Sequence, residues 1–234
     1  MSNIVKHYSG KDAEMLVTVA SIIDAAISHK AFLQSERSIW ADPYFSNVKT
    51  KIDTAVKKHL GIENAKTLRQ ALVAVFELQN NAFEDVAELK SEIQENFRLE
   101  SDVRDKLIEN LGFKEYFKTA QKNDEESLVN LLFQIKANLT SDLKKEFVSK
   151  GISAALLDRL VAYCAALKKS NVTNETFKAS RYATTDEALQ DFNEIFDTGK
   201  SIAKISSTFF REQKAIQALF DYKKVRKSLL NFKK

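Results

Sequence analysis

The sequence predicts an all-α protein, an elongated antiparallel bundle of long amphipathic helices with short helices inserted near residues 100–122. Residues that form turns are scarce, since only one proline and five glycines occur among 234 residues. Proline breaks helix interiors, and glycine destabilises them by about 1 kcal/mol relative to alanine. Apolar residues also recur at intervals of three and four, which is the period of a helix with one buried face.

The first two helices are predicted from this spacing and from their end signals. One begins near Lys11 and ends around residues 39–40, with apolar positions on more than one side. The next restarts at Asp42-Pro43, with the aspartate as N-cap and the proline in the first turn. It ends at Gly61, because glycine readily adopts the left-handed conformation that closes many helices.

A third, long helix is predicted over residues 64–97. Its apolar side chains alternate steps of four and three, and Gln79 is the one polar member of this row. Such a seven-residue pattern is typical of the seam of a left-handed bundle or coiled coil. Shorter helices are predicted at residues 102–111 and 114–121.

The middle of the chain predicts two more helices. One begins at residues 123–126, where an acid three residues after the asparagine forms a capping pattern, and continues without a break to Gly151. Ser153 caps the other, which ends near Lys169. Residues 170–184 are then the most polar connection in the chain, and a short helix within them is left open.

The last helix has the longest regular pattern. A Thr-x-x-Glu capping box at residues 184–187 precedes apolar spacing that runs over residues 188–220. Gly199, Ala203 and Ser206 share one stripe of small residues, which lets a second helix approach closely. The alternative is a kink at the glycine.

We predict a single all-helical domain over residues 1–234. A weak internal duplication of residues 46–97 and 133–170 remains open, because each contains an amphipathic helix, a glycine and a helix with the letters Leu-Val-Ala. The alternative is that any two amphipathic helices look alike.

Charge is distributed unevenly, although the net charge is only +4. Residues 77–109 contain ten acidic and four basic residues, whereas residues 213–234 contain seven basic and one acidic. Such runs are most often solvated helix faces. We expect the basic tail to fold against the acidic stretch within one chain, or else against that of a neighbouring chain in a head-to-tail assembly.

Composition indicates a cytoplasmic protein. The single Cys164 excludes a disulfide framework within one chain, and the first residues lack the apolar run and cleavage site of a signal peptide. The most apolar run, residues 13–28, contains Glu14 and Asp24 and is too short to span a bilayer. It is therefore expected to form a buried core helix.

No complete catalytic or metal-binding motif is present, so we expect a protein that is not an enzyme and has no metal or cofactor. Residues 199–201 match the Gly-Lys-Ser end of a phosphate loop, but Glu194 stands where the first glycine is required. His59 is expected to interact with the end of its helix, and His29 to lie at the core boundary. Cys164 is expected to be an inert buried thiol.

Two segments are candidates for partner binding. The aromatic corner at residues 40–45 is able to anchor a partner, since Trp and Tyr are enriched in hot spots, and packing of the helix turn is the alternative. The tail at residues 221–234 places bases around an apolar face, and packing on its own bundle is its alternative. The candidate residues are Trp40, Tyr44, Phe45, Tyr222, Lys223, Lys224, Arg226 and Lys227.

The favoured function is a cytoplasmic protein–protein interaction or scaffold module with a protein partner of unknown identity. The alternative is binding of an anionic surface, membrane or nucleic acid, through residues 222–234. A third class is an enzyme or ligand-binding bundle whose site is assembled from scattered residues. The oligomeric state is open, with a monomer favoured.

The helical spacing also predicts part of the core. We expect these eight residues to be buried: Leu72, Val75, Val86, Leu89, Phe192, Ile195, Ile202 and Phe209.

Overall fold

A computed structural model describes the backbone at residues 4–122, 124–182 and 185–230, and their side chains except those of residues 168, 170–182 and 230. The described residues form twelve α-helices and one 3-10 turn, Ser38–Trp40, with no strand, so the all-α fold is confirmed. The helices are α1 Asp12–Ser28, α2 Lys30–Glu36, α3 Tyr44–Leu60, α4 Ala65–Asn96, α5 Ser101–Asn110, α6 Phe113–Ala120, α7 Glu125–Asn138, α8 Ser141–Ser149, α9 Ala154–Tyr182, α10 Asp186–Phe209, α11 Lys214–Leu219 and α12 Tyr222–Leu230.

The chain divides into two compact units. Unit 1 comprises Met1–Ala74 and Glu175–Lys234, and unit 2 comprises Val75–Asn174. Compactness does not show that either unit folds alone, so the single domain stays a prediction. Both units contain a helix that ends before a left-handed glycine and is followed by a long helix: Gly61 precedes α4 and Gly151 precedes α9. The internal duplication likewise stays a prediction.

The first predicted helix is interrupted, which corrects the expectation of one helix from residue 11 to residues 39–40. α1 ends at Ser28, and α2 leaves at an angle of 83°. The ring of His29 meets the edge of Phe210, and Phe32 packs on the same ring at 4.9 Å. Together α1 and α2 have the length and apolar composition of a membrane span, but they are bent, and no single helix among the described residues has both properties.

The start of α3 differs from the prediction. Asp42 does not cap the helix, because its carboxylate instead accepts hydrogen bonds from Lys30 and from the Gln34 amide at 2.8 and 3.2 Å. The end of α3 is confirmed, since Gly61 is left-handed and donates its N–H to the carbonyl oxygen of Lys57.

The helix expected to run from residue 123 to Gly151 is two helices. Asp124 caps α7 by accepting from the Ser127 N–H at 2.9 Å, whereas Asn123, the cap we predicted, lies outside the described residues. Thr140 then starts α8 by accepting from the Leu143 N–H at 3.2 Å. A threonine side chain that accepts from a free N–H in this way favours the start of a new helix.

α9 is longer than predicted, because its backbone is helical through Tyr182 instead of ending near Lys169. A polar composition does not by itself interrupt a helix. Thr184 of the predicted capping box lies outside the described residues, and the cap of α10 is Thr185, which accepts from the Ala188 N–H.

The pattern over residues 188–220 is also divided, since α10 ends at Phe209 and α11 begins at Lys214. The turn brings Phe210 into a parallel stack with Phe220, with ring centroids 5.6 Å apart. α11 and α12 are therefore separate from the long helix α10.

Six of the eight predicted core residues are buried, and Val75 and Phe209 are partly buried. The small-residue stripe has the expected effect, because α1 and α10 pack closely where Val19 faces Gly199. A Cβ atom added to Gly199 would lie 2.4 Å from Cγ1 of Val19. α10 runs through Gly199 without a break in its helical backbone.

Candidate functional site

The N-terminal segment, residues 5–10, is held on α10 by a buried asparagine. The Asn193 amide donates to the carbonyl oxygen of Val5 at 2.8 Å and accepts from the N–H of His7 at 2.9 Å. The His7 ring also lies 2.7 Å from the carboxylate of Asp197. Asn193 thus satisfies its polar groups with backbone, which is why it is tolerated in the core.

The last described helix, α12, packs on α1 in unit 1. Its Arg226 donates from Nη2 to Oε2 of Glu14 at 2.8 Å, and its Leu229 is buried. The Tyr222 ring meets the edge of Phe196, and burial raises the pKa of its hydroxyl, which has no hydrogen-bond partner among the described residues. Tyr222 and Leu229, on the apolar face of α12, therefore pack on the helices of unit 1.

The pairing of Arg226 with Glu14 was not predicted from the sequence, in which the acidic stretch 77–109 was the expected partner of the tail. The available signal was Glu14 itself, an acid inside the most apolar run of the chain. A carboxylate in such a run needs a cation or hydrogen-bond donors to be buried.

Three lysines on α12 remain on the surface. Lys223, Lys224 and Lys227 are exposed, and we call them the basic face of α12. Among the described residues their one ion pair joins Lys224 to Asp221 of the preceding turn at 3.9 Å. Among the described residues Lys223 and Lys227 have no ion pair, so the basic face of α12 is a cluster of largely uncompensated positive charge.

The aromatic corner lies mostly inside unit 1. Trp40 and Phe45 are buried with ring centroids 5.4 Å apart, and the exposed fraction of Tyr44 is intermediate. Trp40 also packs on the edge of Phe209 and carries the Arg37 guanidinium over its ring. This geometry favours packing of the turn, while partner binding by these residues stays a prediction.

A cleft of about 270 Å³ lies between α1, α3 and the first turn of α4. Lys49 pairs with Asp24 at its wall, and Asp53 accepts from the Ala65 N–H at 2.9 Å. A helix N-terminus attracts anions, but here the Asp53 carboxylate already occupies that position. The cleft is therefore not an anion site ready for a ligand.

His59 and Cys164 lie in surroundings typical of residues that stabilise a fold. His59 lies 2.8 Å from a carboxylate oxygen of Asp191 and against the edge of Phe192. That hydrogen bond, with the nearby Lys58 ammonium, lowers the pKa of Asp191 despite partial burial. Cys164 is 3% exposed, and the described residues contain no group of three side chains able to hold a metal ion.

The Gly-Lys-Ser segment lies in the middle of α10 and not in a loop. A phosphate loop needs free backbone N–H groups that converge on the ligand, whereas a helix interior uses its N–H groups internally.

No protein family, curated protein or solved structure matches this chain.

Proposed function

We propose that this protein is a non-enzymatic, cytoplasmic interaction module that binds an acidic protein surface through the basic face of α12. The observation that carries the proposal is the division of α12 into two faces: Arg226 and Leu229 pack on the bundle, while Lys223, Lys224 and Lys227 are exposed. Helices that bind membranes bury their apolar face in the lipid. In this protein the apolar face of α12 already packs on the bundle. This packing favours recognition of a partner through charge alone.

Two matched variants test the proposal. Lys223→Gln/Lys224→Gln/Lys227→Gln removes the basic face, and Lys57→Gln/Lys66→Gln/Lys204→Gln removes the same charge from three exposed lysines elsewhere in unit 1. Binding to a polyglutamate peptide is measured at low salt, where the Debye length is about 30 Å. We expect about tenfold weaker binding for the α12 variant, because three exposed ion pairs contribute about 0–1 kcal/mol each.

The control variant, with Lys57, Lys66 and Lys204 replaced, is expected to lose much less affinity for polyglutamate. An equal loss in both variants would show that only net charge matters and would contradict the proposal. Binding to RNA or to phosphatidylserine vesicles, with none to polyglutamate, would instead support the anionic-surface alternative, which Lys223, Lys224 and Lys227 are also able to serve.

A further inference from the structure

We propose that the acidic surface recognised by the basic face of α12 is the acidic face of α4, defined by Glu84 and Glu88, on a second copy of this chain. This inference rests on the proposed function, and it names the partner. The two faces are different surfaces, so the contact is heterologous and able to propagate head to tail.

The acidic face of α4 is exposed and has no ion pair or hydrogen bond of its own among the described residues. The Arg159 guanidinium instead holds Asp85, donating from Nε and Nη2 at 2.7 and 3.0 Å. Arg159 acts on Glu88 only through a longer-range electrostatic interaction. Glu77, seven residues before Glu84, is also exposed and extends the same face.

The spacing of the two faces matches. Glu84 and Glu88 are four residues apart on α4, and Lys223 and Lys227 are four residues apart on α12. Side chains four apart on a helix are neighbours, with Cβ atoms about 5–6 Å apart. Two helices laid side by side therefore bring both lysines opposite both glutamates at once.

Each face is repulsive by itself, because like charges one turn apart destabilise a helix. Pairing the faces replaces both repulsions with attractions. The contact is nevertheless weak, since exposed ion pairs are screened by salt and water. We expect transient association that is strongest at low salt.

Reciprocal charge reversal tests the inference on the full chain. The variants are Lys223→Glu/Lys227→Glu and Glu84→Lys/Glu88→Lys, with circular dichroism to establish that each remains helical. Self-association is measured by static light scattering at about 10 mM and 300 mM salt, where the Debye length falls several-fold. The wild-type chain is expected to attract itself at low salt only, and each variant alone is expected to lose this attraction.

An equimolar mixture of the two variants is the decisive sample. In the mixture, the acidic α12 of one variant meets the basic α4 of the other, so the two faces again have opposite charges. We expect the mixture to regain the attraction of the wild type. A mixture that stays dissociated, or a wild-type chain without attraction at low salt, overturns the inference. If polyglutamate binding still depends on Lys223 and Lys227, only the second-copy partner fails; if that binding is also missing, the proposed function fails.

Discussion

Arg226 donates a hydrogen bond to Glu14 at 2.8 Å and so joins two residues that are 212 positions apart in the chain. The Glu14 side chain is 9% exposed and that of Arg226 is 27% exposed, so both charges have lost most of their water. The pair fixes α12 on α1 and thereby determines which side of the tail remains available for a partner.

Removing one member of this pair should destabilise unit 1. Arg226→Gln leaves the Glu14 carboxylate buried without its cation, and we expect a loss of about 1–3 kcal/mol in the free energy of unfolding. Urea unfolding followed by circular dichroism measures it. In Glu14→Gln/Arg226→Gln neither charge remains, so its loss should be smaller than the sum of the single losses. Fully additive losses would show that the two side chains do not interact.

Gly199→Ala should destabilise the packing of α1 on α10. Its new Cβ would lie 2.4 Å from Cγ1 of Val19, which is fully buried and cannot move aside. We expect a net loss of up to about 2 kcal/mol, because overpacking costs about 1–3 kcal/mol while alanine gains about 1 kcal/mol in helix propensity. Thermal unfolding of Gly199→Ala/Val19→Ala should show that the second substitution restores part of the lost stability. If it restores none, the contact with Val19 is not the cause of the loss.

Phe192→Ala should remove a central part of the unit 1 core. Phe192 is fully buried against the His59 ring, so we expect a loss of about 3–5 kcal/mol in stability from lost burial and the cavity left behind. Phe133→Ala is the matched control, because Phe133 is an exposed phenylalanine on α7. Chemical denaturation of both variants gives the comparison, and similar losses would contradict the assignment of Phe192 to the core.

Asp191 should make stability depend on pH in the acidic range. The His59 hydrogen bond, followed by the Lys58 ammonium, lowers the pKa of Asp191 in the folded protein below its unfolded value of about 3.9. The stabilisation is therefore fully present above the unfolded value and is lost as the pH falls through the folded value. Lys58 also pairs with Glu187, so the cation is shared.

The variant Asp191→Asn isolates this contribution. Its stability should be lower than that of the wild type at pH 6, and the difference should shrink as the pH is lowered below about 4. Unfolding curves at several pH values measure both proteins. If the difference in stability between the two proteins stays constant down to pH 2, folding does not change the pKa of the Asp191 carboxylate.

The existence of the helices was largely predictable from local signals. α4, α5 and α6 lie close to residues 64–97, 102–111 and 114–121, because apolar spacing and helix-end residues act within a few turns. Gly61 ends α3 for the same reason, since its left-handed backbone is a local property. The close approach at Gly199 was also predictable, because small residues on one stripe leave room for a neighbouring helix.

The tertiary structure decided where regular patterns are interrupted. His29 separates α1 from α2, and residues 210–213, which begin with Phe210, separate α10 from α11, although the apolar spacing of a helix continues through both places. The aromatic rings of His29 and Phe210 meet each other at 5.4 Å, and no local rule anticipates a contact between residues so far apart in the chain. A pattern of apolar residues predicts that a side chain will be buried, but it does not predict which neighbour will cover that side chain.

By itself the sequence determined the all-α class, many helix ends and six of the eight core residues predicted, because these depend on hydrogen bonds and apolar spacing within single helices. Only the tertiary structure decided that Arg226 binds Glu14, that Trp40 and Phe45 are packed inside, and that three lysines of α12 remain exposed. Those outcomes depend on which helices become neighbours. Helices become neighbours when their whole faces fit each other. This fit cannot be detected in short stretches of the sequence.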